Sequence, residues 1–352
     1  MSPAAGKASV ESRHAHSASR GALLRAVVTG GAGFIGSHLV DRLLADGHSV
    51  LVLDDFSTGR PENLAHLARD ARLTLERVDI AREPRLAALV TGADWVFHLA
   101  ALADIVPSLE RPIDYHRANV DGTVAMLEAA RAGGIRRFLY AASSSCYGIP
   151  DLYPTPETAG ARPQYPYALT KLLGEQCALH WGQVYRLPVV SLRLFNVYGP
   201  RARTSGTYGA VFGVFLAQKL AGHPFTVVGD GTQSRDFTFV SDVADAFLTA
   251  AQSGVTGEVF NVGTGVPVPV NRLVDLLKGE VVYVPKRPGE PDRTQADVSK
   301  IQSRLGWRSK VSIEEGVRIL LDNVEYWRQA PVWTPASIAA ATRDWFRYLG
   351  KD

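Results

Sequence analysis

The residues best suited to chemistry are a tyrosine, a lysine and a run of serines. Tyr167-Ala168-Leu169-Thr170-Lys171 sets a phenol and an ammonium four residues apart, so a helix there presents both on one face. In a chain with 12 tyrosines, such a pair is weak grounds for a site by itself. Upstream, Ala142-Ser143-Ser144-Ser145-Cys146-Tyr147-Gly148 brings three hydroxyls directly after an apolar run that reads as a strand. Such a cluster either caps a loop or takes part in catalysis, because open α/β sheets assemble their sites at the carboxyl ends of strands.

A glycine pattern points to a second kind of chemistry. Thr29-Gly30-Gly31-Ala32-Gly33-Phe34-Ile35-Gly36 follows the first apolar run and opens the first helical one. Glycine permits positive φ, close approach of backbone to a pyrophosphate, and tight packing of helix on strand. The unpaired N–H groups of the helix start then hold the phosphates. A tight strand–helix turn would use the same residues, so the acid that follows carries weight. Asp54 ends the second strand 24 residues after Gly30, where a carboxylate accepts hydrogen bonds from the adenosine ribose hydroxyls. Its charge repels a 2′-phosphate and no basic residue follows before Arg60, which favours NAD over NADP. Asp79, in Val78-Asp79-Ile80, either meets the adenine edge or caps the next segment.

The elements that must position these groups are legible in the periodicity. Strands are predicted at 26–28, 49–53, 73–78, 95–98, 137–141 and 189–194, and helices at 33–45, 83–90, 114–132 and about 166–184. Strands alternating with helices imply βαβ crossovers and a parallel sheet covered on both faces. The expected fold is therefore α/β, a doubly wound parallel sheet with a smaller α+β lobe. Residues 1–22 read as a disordered extension and 23–194 as the NAD-binding domain, with returning segments near 236–262; residues 195–352 read mainly as the substrate lobe.

Composition narrows the function classes. In 352 residues, 46% are apolar and 21% charged, which supports a sizeable core and excludes wholesale disorder. With 38 basic against 35 acidic side chains, the net +3 is too small and too evenly spread for a nucleic-acid or membrane-surface protein. Two cysteines, Cys146 and Cys177, build no disulfide framework, and no Cys-x-x-Cys or His-x-x-x-His spacing offers a metal site. The first 22 residues lack the apolar stretch of a signal peptide, and a cytoplasmic protein is expected.

Jointly, these motifs resemble the extended short-chain dehydrogenase/reductases of the nucleotide-sugar epimerase/dehydratase family. The resemblance rests on Thr29 to Gly36, His98-Leu99-Ala100-Ala101, Ser143 to Gly148, Tyr167 with Lys171, Arg193 to Gly199, and Ser234-Arg235-Asp236-Phe237, running in family order over about 25–325. It implies a Rossmann-type NAD domain, a UDP-sugar substrate, and a homodimer joined through the helices near 114–132 and 166–184. It also implies cofactor contacts from Gly30, Gly33, Phe34, Ile35, Gly36, Asp54, Asp79, Ile80, Leu99, Ala100, Ala101, Tyr167 and Lys171. By the same resemblance Tyr167 is the general base toward the sugar C4 hydroxyl. Ser143 bonds that hydroxyl with Ser144 and Ser145 beside it, and Lys171 holds the nicotinamide ribose and lowers the tyrosine pKa. A free phenol with pKa near ~10 is about 0.1% ionised at pH 7, and a three-unit drop requires roughly 4 kcal/mol. One cation at ~6 Å contributes about 3 kcal/mol at an effective dielectric of ~20, so lysine and oxidised nicotinamide together suffice.

The choice of reaction turns on what is missing. Resembling 4,6-dehydratases carry an Asp-Glu pair before the Tyr-Gly of the serine loop, and the decarboxylases of UDP-glucuronate carry a glutamate. Here Ser145-Cys146 stands before Tyr147, with no carboxylate to move a C5 proton. Epimerisation at C4 needs none. By resemblance, Asn196 and Arg235 contact the pyrophosphate and Arg293 the nucleotide ribose and phosphates; a surface or inter-lobe salt bridge is the alternative for each arginine. Thr294 falls where a tyrosine restricts the pocket to plain hexoses, and its small side chain admits an N-acetyl group. The expected activity is interconversion of UDP-N-acetylglucosamine and UDP-N-acetylgalactosamine. Behind it stand UDP-glucuronate, UDP-N-acetylhexosaminuronate or UDP-glucose 4-epimerisation, then a dehydratase or ketoreductase, and an NAD-sensing binding protein.

Overall fold

The structure is a computed structural model that describes residues 23–202 and 210–350. The extension expected at 1–22 lies outside the described residues. Seven parallel strands form one sheet in the order Glu258–Val262, Val189–Leu194, Arg137–Ser143, Trp95–His98, Arg25–Thr29, Ser49–Asp54, Leu73–Arg77. The central strands are buried almost throughout, which is why they read as unbroken apolar runs. Strand order reverses beside Arg25–Thr29, so Thr29, Asp54, His98 and Ser143 end along one rim around the reversal. Ligand clefts of open sheets lie at such a rim.

Each sheet face has its own core. On one side Leu39 and Leu43 of helix Phe34–Ala45, with Val243 and Phe247 of helix Val240–Gln252, cover Val28 and Phe97. On the other, Met126 and Leu127 of helix Gly122–Gly133, with Ala178 of helix Pro166–Tyr185, cover Val27, Val96 and Phe138. A third core, including Phe215, Phe225, Leu273, Leu320 and Trp327, belongs to the lobe; Phe34 and Ile35 pack against it from the first helix. Among the described residues no helix is long and apolar enough to cross a membrane.

Two helices depart from expectation. The segment 114–132 is not one α-helix: Pro112–His116 leads into a π-helical turn over Arg117–Asp121 before Gly122–Gly133. The helix expected from residue 83 starts at Leu86, because the Glu83 carboxylate accepts the Arg85 N–H at 2.9 Å in a local loop.

One buried ion pair ties these elements together. Glu175, on the helix that carries Tyr167, accepts from Arg193 of the neighbouring strand at 2.6 Å through Nη2 and at 3.1 and 3.0 Å through Nε. The Ser191 hydroxyl donates to the same carboxylate at 2.9 Å. Arg193 Nη1 also donates to the Tyr147 hydroxyl at 2.8 Å, which donates to Asn261 on the edge strand at 2.7 Å. Removing one member strands a charge in the core, which costs about 3–5 kcal/mol. Glu175→Ala should lose that much in denaturant unfolding; a loss under about 1 kcal/mol would mean that water reaches Arg193.

Candidate active site

The glycine turn is shaped so that no side chain fits. Gly30 has φ +68°, and a Cβ there would stand 2.8 Å from the Ala100 nitrogen. A Cβ on Gly36 would lie 2.1 Å from the Gly30 carbonyl oxygen. Helix Phe34–Ala45 then begins at Gly33 with no side-chain cap. Asp54 reaches the turn from the next strand: one carboxylate oxygen accepts the Ala32 N–H at 3.0 Å and the other the Phe56 N–H at 2.9 Å. Each oxygen keeps a lone pair for a further donor. Burial pushes the Asp54 pKa up, and the two N–H bonds oppose that rise.

Ala100 and its neighbours are fixed by a directional hydrogen-bond chain. The Ala100 N–H donates to Thr29 Oγ1 at 3.2 Å, which lies 2.8 Å from His98 Nδ1. His98 Nε2 is 2.9 Å from Thr123 Oγ1, whose proton goes to the Asn119 carbonyl at 2.6 Å. Burial, together with the charge of Lys171, brings the His98 pKa down to about 3, so the imidazole is neutral. Thr123 is committed as a donor to Asn119, so the histidine proton sits on Nε2.

Tyr167 and Lys171 are one turn apart on helix Pro166–Tyr185, beside Ser143 at its strand end. Ser143 Oγ accepts the Ser145 N–H at 3.2 Å and lies 2.8 Å from Ser145 Oγ. Burial raises the Tyr167 pKa, and a hydrogen bond from Ser143 opposes that rise. Lys171 Nζ sits 4.5 Å from the centroid of the Tyr140 ring, and burial brings its pKa down to about 7 against the pull of Glu175. In the chain alone desolvation outweighs the Ser143 hydrogen bond, and the expected lowering calls on Lys171 and oxidised nicotinamide together. Oxidised nicotinamide is the positive group that a dinucleotide would add.

Sequence reading missed Asn119. Its side chain accepts the Leu102 N–H at 2.8 Å and donates to the Leu102 carbonyl at 2.9 Å and to Thr170 at 3.0 Å. It thus ties the loop after His98 to the Tyr167 helix. Asn119 lies in the π-helical turn, a device frequent at functional sites that leaves no periodic trace in sequence.

Four expected substrate residues converge on the lobe side. Thr294 Oγ1 donates to Asn196 at 2.8 Å and accepts the Asp236 N–H at 3.0 Å. Arg235, largely buried, lies 3.7 Å from Glu290, so its expected anion role coexists with an ion pair. Arg293 donates to the Gln295 side chain and stands over the Tyr153 ring at 5.6 Å. Asp79 lies in the turn after the edge strand Leu73–Arg77, where it accepts the Ala81 N–H at 3.0 Å and pairs with Arg82 at 3.5 Å. That is the geometry of the capping alternative, and Ile80 beside it is buried in the core. Arg201 pairs with Asp41 at 2.7 Å, and Arg203 lies outside the described residues.

These observations can be set beside known proteins. The model of the NAD dependent epimerase/dehydratase family matches residues 26–263. A UDP-glucose 4-epimerase of Mycolicibacterium smegmatis is 38% identical over 314 residues, 87% of this chain and 99% of that protein. The chain belongs to the NAD-dependent epimerase/dehydratase family. A solved UDP-N-acetylglucosamine 4-epimerase from Methanobrevibacter ruminantium, in complex with UDP-N-acetylmuramic acid, superposes with TM-score 0.79 at 33% identity, covering 86% of this chain and 99% of that one. A UDP-glucuronic acid 4-epimerase from Bacillus cereus, in complex with UDP-glucuronic acid and NAD, has TM-score 0.80 at 31% identity over 86% and 99% of the two chains. Within the family, this member is an NAD-dependent enzyme whose glycine turn and Asp54 suit the dinucleotide.

The buried lysine yields a test by linkage. Its pKa is about 7 when folded against the ordinary 10.5, so the folded state carries the full cost of the buried charge below pH 7 and sheds it as pH rises toward 10.5. Lys171→Met should therefore melt above the parent protein at pH 6, with the gap narrowing at pH 9.5. A gap independent of pH would show that Lys171 is hydrated.

Proposed function

We propose that this enzyme interconverts C4 epimers of a UDP-sugar, with UDP-N-acetylglucosamine and UDP-N-acetylgalactosamine as the preferred pair. The observation that carries the reading is the meeting of Tyr167 and Ser143 at the sheet rim, opposite Asn196, Arg235 and Thr294. No carboxylate stands on the Ser143–Gly148 loop to act at C5. NAD, when bound, reversibly accepts the C4 hydride. Tyr167 takes and returns the C4 hydroxyl proton, and Ser143 keeps that hydroxyl aligned. Lys171 holds the ribose, with the glycine turn and Asp54 on the adenosine half. Arg235, Arg293 and Asn196 hold the diphosphate while the keto sugar turns its other face, a task suited to the bidentate guanidinium.

Small size at Thr294 supports an N-acetyl group at C2, and its bond to Asn196 keeps that wall in place. A dimer through the expected helices fits a surface hollow lined by Pro112, Ile113, His116, Leu169 and Leu173, with Ile113 and Leu169 exposed. The reading is tested by incubating the protein with UDP-hexoses, UDP-N-acetylhexosamines and UDP-uronates and separating the products. An equilibrium mixture of C4 epimers without net consumption of NAD is expected; a dehydrated or decarboxylated product would overturn the assignment.

Two substitutions sharpen it. Tyr167→Phe should lower turnover at least about a hundredfold while retaining NAD, since it removes only the proton acceptor; near-normal rates would remove Tyr167 from the chemistry. Thr294→Tyr should reduce kcat/KM for N-acetylated sugars more than for plain ones, whereas equal losses would put the C2 substituent elsewhere.

A further inference from the structure

A second tyrosine stands beside the first. Tyr165 precedes Tyr167 by two residues, and the rings lie parallel within 8° with centroids 6.3 Å apart. Its other neighbour is Trp345, at 6.4 Å and 51°, from the C-terminal helix Arg343–Leu349. Trp345 is buried and held from the lobe: its indole N–H donates to the Pro288 carbonyl at 2.7 Å, and the Arg287 guanidinium stands 5.1 Å from its ring. Arg287 pairs with Glu290 at 3.3 Å, the carboxylate that also faces Arg235 at 3.7 Å.

With two rings beside it, Tyr165 offers its hydroxyl edge. That hydroxyl lies close enough to Ser145 to interact with it, and within electrostatic reach of Arg235 and Glu290. Ser145 in turn is 2.8 Å from Ser143. Tyr165 therefore adjoins both the serine loop, expected at the sugar C4, and Arg235, expected at the diphosphate on C1. A hexose that joins those two groups would lie beside it.

We propose that Tyr165 contacts the hexose through its hydroxyl and that Trp345 is its positioning residue, so that the C-terminal helix takes part in choosing the sugar. The inference rests on the nucleotide-sugar reading of the site. A phenol held between rings donates to a sugar oxygen with little loss of side-chain freedom, which favours it for selection over a flexible polar group.

The test uses the NAD-loaded protein and its Tyr165→Phe, Trp345→Ala and Trp345→Phe variants, titrated calorimetrically with UDP and with UDP-N-acetylglucosamine and assayed for epimerisation. Tyr165→Phe keeps the ring stack and should weaken the UDP-sugar about threefold to tenfold, with UDP affinity unchanged. In the assay, KM should rise more than kcat falls. Trp345→Ala should act in the same direction, and Trp345→Phe should restore most of the loss. The proposal is overturned if Tyr165→Phe binds the sugar nucleotide as tightly as the parent protein, or if UDP and UDP-sugar weaken equally. Should the parent protein epimerise no sugar, the reading of the reaction fails, while the two titrations still decide the role of Tyr165.

Discussion

The site depends on a buried charge pair. Glu175 and Arg193 are both out of solvent, and between them they fix the Tyr167 helix against its strand, the serine loop through Tyr147, and the edge strand through Asn261. Hydrophobic packing alone would hold these elements at the right separation, but it leaves helices free to slide by small amounts. A carboxylate with three donors and a guanidinium with three acceptors tolerate far less play. Proton transfer calls for that narrower tolerance, because its partners must lie within hydrogen-bond distance.

Burial also governs the two groups expected to move protons and hold the cofactor. The same loss of water that raises the Tyr167 pKa lowers that of Lys171. Both groups are thus pushed toward neutrality, and the chain alone does not create a phenolate. Ionisation of the phenol then calls for added positive charge, such as that of an oxidised nicotinamide. His98 is treated similarly and stays neutral, serving as a rigid link in the chain from Ala100 to Asn119.

Much of this could be read from the sequence, for physical reasons that differ by residue. Buried parallel strands leave apolar runs, so the sheet was legible, and the glycines needed where a Cβ would overlap a carbonyl leave a spacing that gained weight from Asp54 after the second strand. A strand end and a helical face have fixed periods, which placed Ser143, Tyr167 and Lys171 near the rim, while their expected roles came from the family resemblance. Asn119 was missed, because a π-helical turn breaks the 3.6-residue period on which such a reading relies. Tyr165 escaped notice because its contact with Trp345 depends on how the last helix returns to the lobe, and no local pattern encodes that.

The packing of Phe34 and Ile35 against the lobe core has a thermodynamic corollary. These residues form the first turn of the helix whose N-terminus faces the glycine turn, so the element expected to grip diphosphate also forms part of the lobe's foundation. A ligand that tightened that helix start and so favoured one seating of the lobe would be favoured in return, by the same factor, by a ligand seated in the lobe. One helical turn would suffice to carry that reciprocity.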